Sequence, residues 1–138
     1  MSPQQYEKFY WPSLKKVRDA LINEGIICMM FAEGGYNTRL ETVKSDFPKG
    51  SVIWWYDQTD MASAKKILGD KFTIQGNVPS SLIVTCSPMD VKARCRKLIE
   101  TCGNGGGYIM AAGCVAENTK WENLQAMMAA IREYGVYA

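Results

Sequence analysis

The chain has 138 residues, long enough for one domain with a substantial core. Apolar residues make up 47% and charged residues 22%, and the formal charge of +2 is spread among acidic residues, which excludes the clustered basic face of a nucleic-acid binder. There is no histidine, so Ser–His, Cys–His and His-rich metal chemistry cannot be built from this chain alone.

The longest apolar run, Gly25 to Ala32, is far too short to span a bilayer. The start lacks the charged, apolar and small-residue order of a secretory leader, so a cytoplasmic protein without membrane contact is expected. Five cysteines, at 28, 86, 95, 102 and 114, are odd in number and never spaced C-x-x-C, which argues against a disulfide framework. Lys15, Lys16 and Arg18 form the densest basic group and read as a solvated helix face with Glu7, Asp19 and Glu24. Nothing resembles a linker, and residues 1–138 read as a single domain.

In chain order, Ser2 is placed to cap a helix with Pro3 in its first turn and Gln5 at capping-box spacing. Pro12 lacks the backbone donor an uninterrupted helix needs and predicts a kink or division there; Gly25 predicts the stop. The run "IICMMFA", 26–32, predicts a strand buried on both faces. A loop "EGGYN", a helix from Thr38 to Asp46 and a turn "FPKG" follow. "SVIWWY", 51–56, is a second strand, and Asp60 caps a helix "MASAKKIL" ending at Gly69. "KFTIQ", 71–75, is a third strand; after a loop "GNVPSS", Ser87-Pro88 opens the helix "MDVKARCRKLIETC". "GGYIMAA", 106–112, is a fourth strand, and Trp121 to Tyr134 is a closing amphipathic helix. Trp54 and Trp55 must point to opposite faces of their strand, and read as core, as do Met29, Met30, Met127 and Met128. Four strands alternating with helices predict a parallel α/β sheet.

Gly103, Gly105, Gly106 and Gly107 follow a helix and open a strand. Phosphate-binding glycines have the reverse order, strand then helix, so this cluster predicts a helix stop and a tight turn. In parallel α/β folds, ligands bind beyond the carboxyl ends of the strands. Those ends are Glu33-Gly34-Gly35-Tyr36, Tyr56-Asp57, Gln75-Gly76-Asn77 and Gly113-Cys114. Each has a plainer alternative. Glu33 is a base or ligand, or a loop residue; Gln75 and Asn77 bind a polar ligand or shape turns; Cys114 is a ligand, a reactive thiol or a small buried residue. Tyr36 and Arg39 flank the first loop and bind a carboxylate or face solvent.

Taken together, "FAEGG" at 31–35, "AKKILGDKFTIQGNVPSSLI" at 64–83, "GGGYIMAAGC" with the helix "NTKWENLQAMMAAIREYG", and the opening "SPQQYEKFYWPSLKKV" resemble the uroporphyrinogen decarboxylase and cobamide-dependent methyltransferase superfamily in collinear order. The resemblance implies the C-terminal half of a TIM (βα)8 barrel. A whole barrel takes roughly 250 residues. A missing N-terminal half-barrel, or self-association, is therefore the expected partner, because two sheet edges and the barrel interior are otherwise left bare.

For the decarboxylase branch, the resemblance implies tetrapyrrole carboxy-lyase chemistry without metal or cofactor. The aspartate and arginines that perform it lie in the N-terminal half, so no catalytic residue is assigned here, and this chain is expected to be inactive by itself. The branch also carries a glycine-histidine-glycine after its last strand, where this chain has Cys114. For the methyltransferase branch, it implies zinc held by a histidine-x-cysteine pair and a last-strand cysteine, acting with a corrinoid protein. Cys114 matches that last cysteine, whereas Phe31-Ala32-Glu33 replaces the pair, leaving Glu33 and Cys114 as candidate metal ligands, short of the usual three. The candidate substrate-binding residues are Phe31, Glu33, Gly34, Gln75, Asn77 and Cys114. A C-terminal fragment of a uroporphyrinogen decarboxylase-like protein is the first expectation, methyl transfer with a corrinoid protein the alternative, and a non-catalytic remnant or assembly subunit the second alternative.

Overall fold

The computed structural model describes residues 1–45, 47–115 and 117–136. The expected capping box opens the first helix: the Gln5 N–H donates to Ser2 Oγ (3.2 Å) and the Ser2 N–H to Gln5 Oε1 (3.0 Å). That helix, α1 (Pro3–Gln5), runs into a π-helical stretch (Tyr6–Tyr10) and then α2 (Trp11–Asn23). Pro12 explains the wide turn. Its ring cannot accept a normal helical neighbour four residues back, and the Trp11 N–H reaches back five residues to the Tyr6 carbonyl.

After Gly25, at φ 77°, β1 (Cys28–Ala32) begins the sheet. A 3-10 turn (Asn37–Arg39) leads into α3 (Leu40–Ser45); the predicted last residue of this helix, Asp46, lies outside the described residues. Then come β2 (Val52–Tyr56), α4 (Met61–Leu68) and β3 (Thr73–Gln75). Next are α5 (Ser80–Thr85), α6 (Pro88–Cys102), β4 (Tyr108–Ile109) and α7 (Trp121–Tyr134). Asp60 caps α4 by accepting the Ser63 N–H (2.9 Å), and Ser87 with Asp90 forms the capping box of α6. The helix α5 is not foreseen by the sequence; its three-residue apolar run after Pro79 has no periodicity to read. Gly105, Gly106 and Gly107 all have positive φ, between 69° and 75°, as a tight turn into β4 requires.

The four strands pair in the order β1-β2-β3-β4, all parallel. The ladder extends past β4 through a parallel bridge between Val78 and Ala112. This is a partial TIM barrel: successive parallel strands joined by helices that lie on one face. The core forms under those helices. Trp54 is the hub of an aromatic cluster with Trp11, Phe47 and Tyr56, at ring-centroid distances of 6.3, 5.7 and 6.1 Å. Phe47 passes the cluster on to Phe72 (5.8 Å).

Four expectations change. Arg18 is not solvated: it is 1% exposed, with its guanidinium 3.3 Å above the Phe47 ring centroid and 2.8 Å from the Asp19 carboxylate. Stacking and the ion pair make that burial tolerable. Tyr36 and Arg39 are not a solvent-facing pair, although Arg39 stays partly exposed. Tyr36 is buried, and Arg39 lies over the Tyr6 and Tyr36 rings while donating to the Met1 carbonyl (2.9 Å). The strand β1 is buried on one face only: Met29 and Phe31, on the side away from the helices, are 53% and 46% exposed. Met128 is exposed as well, so only Met30 and Met127 of the four methionines pack against the core.

Candidate functional site

Because every strand is parallel, the loops after β1, β2, β3 and β4 share one rim. Gly34 turns away from β1 at φ 82° and donates its N–H to Asp57 Oδ2 (3.3 Å) in the loop after β2. Tyr36 N–H donates to Thr59 Oγ1 (3.0 Å), and Asp60 N–H to Asn37 Oδ1 (2.9 Å). Two strand-end loops are thereby fastened to each other.

Asn77 fastens the third loop. Its buried Nδ2 donates to the carbonyls of Asp57 (3.0 Å) and Thr59 (2.7 Å), and its Oδ1 accepts from Arg94 Nη2 (3.3 Å). Gly76 before it lies at φ 115°, and a Cβ there would run into the Tyr56 carbonyl oxygen; only glycine lets β3 pass β2 this closely. Ser80 joins the fourth loop: its Oγ is 3.0 Å from Cys114 Sγ and donates to the Cys114 carbonyl (3.2 Å). Gly113 approaches Asp57 so closely that a Cβ would sit 3.0 Å from its carbonyl and carboxylate oxygens.

These contacts frame a cleft of about 530 Å³ lined by Asp57, Thr59, Asp60, Asn77, Ser80 and Arg94, with Cys114 at one side. Two carboxylates, one guanidinium, hydroxyls and a thiol give it a polar, mixed-charge lining suited to a small ligand carrying acidic or amide groups. Asp60 is held below the usual carboxylate range, chiefly by hydrogen bonds from Ser63, with a smaller contribution from the Arg94 charge. A second cavity, of about 670 Å³, lies at the opposite end between α6, α7 and the glycine turn, away from the rim where parallel sheets bind ligands.

Of the residues expected at the site, Asn77 and Cys114 line the cleft, and Gly34 reaches it through Asp57. Phe31 and Gln75 lie on the helix-free face; the Phe31 ring is 4.7 Å from Trp55, and Gln75 is buried at the end of β3. Glu33 is exposed beyond β1, at the far edge of the sheet from Cys114. Among the described residues no group of three or more His, Cys, Asp or Glu is gathered to hold a metal ion. Arg94 and Ser80 are missed by the sequence reasoning. Arg94 is one of several basic residues along α6 with no local mark, and Ser80 belongs to the unforeseen α5. No described helix is long and apolar enough to cross a membrane.

A row of parallel strands with helices on one face and a polar cleft on its carboxyl rim defines the βα-barrel class of ligand-binding and catalytic domains. The sequence pattern of the uroporphyrinogen decarboxylase (URO-D) family matches residues 1–134, and the chain belongs to that family. Relatives include the uroporphyrinogen decarboxylase of Dichelobacter nodosus, 29% identical over 93% of this chain and 36% of that protein. The methylcobamide:CoM methyltransferase MtaA of Methanosarcina barkeri is 37% identical over 97% of this chain and 38% of that protein. Among solved structures, a methyltransferase from Methanosarcina mazei superposes with a TM-score of 0.78 over 99% of this chain and 39% of that one, at 20% identity. The chain thus spans little more than a third of the length of the curated relatives it matches.

Proposed function

We propose that this chain forms one wall of a URO-D-type barrel whose activity is methyl transfer, with a methylcobamide-bearing protein as the methyl source. The observation that carries this reading is Cys114: a thiol at the carboxyl rim, opening on the polar cleft, where decarboxylases are expected to carry histidine. The higher identity to MtaA than to the Dichelobacter decarboxylase, 37% against 29%, supports it. In this reading Ser80 orients the Cys114 sulfur. Arg94 and the Ser80 hydroxyl offer donors to an acidic group on the methyl acceptor. The bonds from Asn77 to the loop after β2 keep the cleft open at a fixed width. The donor set at the rim does not amount to a zinc site, and no step is drawn through one.

Decarboxylation of a tetrapyrrole is the second reading, favoured by the "FAEGG" stretch and by chemistry that needs no metal. The closed barrel separates them. Methyl transfer from methylcobalamin to 2-mercaptoethanol, followed by the loss of the alkylcobalamin absorbance, should fall at least tenfold in Cys114→Ser. Uroporphyrinogen turnover that is indifferent to Cys114→Ser would overturn methyl transfer in favour of decarboxylation.

A further inference from the structure

The helix α5 cannot hold itself in place. Six residues make fewer than two turns, and a helix so short is marginal without outside contacts. Its last carbonyls must find partners elsewhere. One residue of α7 supplies two of them. Asn123 is fully buried, and its Nδ2 donates to the carbonyls of Ile83 (2.7 Å) and Cys86 (3.0 Å). The other end of α5 carries Ser80, which gives its proton to the Cys114 carbonyl (3.2 Å). That leaves the Ser80 oxygen, 3.0 Å from Cys114 Sγ, as acceptor of the thiol proton. One short helix is therefore held by α7 at one end and holds Cys114 at the other.

We infer that Asn123 is a positioning residue: through α5 and Ser80 it sets where the Cys114 sulfur stands at the side of the rim cleft. The inference deepens the reading of Cys114 as the working thiol and takes its functional meaning from it. The chain just before the thiol is fixed, since the Gly113 N–H donates to the Val78 carbonyl (2.8 Å). Among the described residues, Ser80 is then the one side chain hydrogen-bonded to Cys114. Ser80 lies about one helical turn ahead of Ile83, so a tilt at the Ile83 carbonyl carries over to Ser80 Oγ. The middle of α5 is held by packing, with Ile83 buried and α6 and α7 alongside. Packing of apolar surface is non-directional; the paired bonds from Asn123 fix the rotation of the helix. For structure alone the Asn123 amide is a poor choice. Its Oδ1 is buried without a hydrogen-bond partner, a desolvation penalty that an apolar side chain would avoid. Two N–H donors aimed at α5 are what the amide supplies in return.

The test alkylates this full chain with iodoacetamide and follows Cys114 by peptide mass, which separates it from the other free cysteines. Asn123→Asp keeps nearly the same shape without the paired donors. Ser80→Ala and Asn123→Asp should each raise the Cys114 rate by at least about threefold. The double variant should react no faster than Ser80→Ala alone, because the two residues act in series. Asn123→Ser, which keeps one donor, should fall between the wild type and Asn123→Asp, and it carries the test if Asn123→Asp does not fold. Lys65→Met loses the bond to the Gly106 carbonyl in the glycine turn, at the opposite end of the sheet, and should leave the rate unchanged. Unchanged alkylation in both Asn123 variants overturns the inference. So do effects of Asn123→Asp and Ser80→Ala that multiply, or a rise of the same size in Lys65→Met. The sulfur is read directly, without turnover. Methyl transfer indifferent to Cys114→Ser would therefore overturn the functional reading and leave the series pattern standing.

Discussion

Asn77 carries more of the rim than any other single side chain. It bonds the carbonyls of Asp57 and Thr59 from a buried position. Asn77→Ala would leave those acceptors unpaired at a cost of about 2–4 kcal/mol, read as a lower midpoint in urea denaturation with an unchanged slope. Asp60 gives a pH signature. Its folded-state pKa is lowered by its bonds to Ser63, so its contribution is fully present above the ordinary value of 3.8 and is lost as pH falls through the lower folded value. Stability measured across that acid window should fall less steeply in Asp60→Asn, which keeps a capping oxygen without the titration. The sequence made Asn77 visible as a strand-end amide but not its role, because the bonds that define the role come from loops 18 and 20 residues away. Arg18 shows the opposite failure: its charged neighbours in sequence suggest a solvated face, whereas stacking on Phe47 across the helix layer, with the Asp19 ion pair, makes its burial tolerable.

At the scale of elements, local chemistry was the most legible. The Ser2–Gln5 capping box, the Asp60 cap, the helix start at Ser87-Pro88 and the break in the helix at Pro12 follow from residues within one turn of each other, and such short-range rules need no tertiary information. Strand ends were less legible. The predicted strand over 106–112 shortens to Tyr108–Ile109 plus the bridge at Ala112, because its one partner, β3, is itself only three residues long. α5 escaped notice since six residues cannot display a helical period. Two substitutions probe this level. Ser87→Ala removes the α6 capping oxygen and should cost about 1 kcal/mol. Trp54→Ala empties the centre of the aromatic cluster and should cost roughly 3–5 kcal/mol, enough to abolish a cooperative thermal transition.

For the whole molecule, the alternation of strands and helices was enough to give a parallel sheet with its site at one rim. The run Cys28–Ala32 by itself looks the same whether one or both faces are covered; the bare face was legible only through the resemblance to a barrel family, of which four strands leave the interior open. The bare face has a solution consequence. The chain by itself should enhance the fluorescence of an apolar dye and scatter light increasingly as sulfate is added, because excluded salts favour burial of apolar surface. Met29→Lys with Ile109→Lys should suppress both.

Trp55 stands in the middle of that face. Its Nε1–H crosses over β3 to donate to the Ala112 carbonyl (2.8 Å), and its ring leans on Phe31, so an indole ties β1 and β2 to the chain just after β4 where a completed enclosure would be driest. Trp54, on the other side of the same strand, is already sealed from water. The pair therefore forms a native optical gauge: ultraviolet emission from one is fixed by folding, while the colour of the other shifts to shorter wavelength only when something shuts the opening above it.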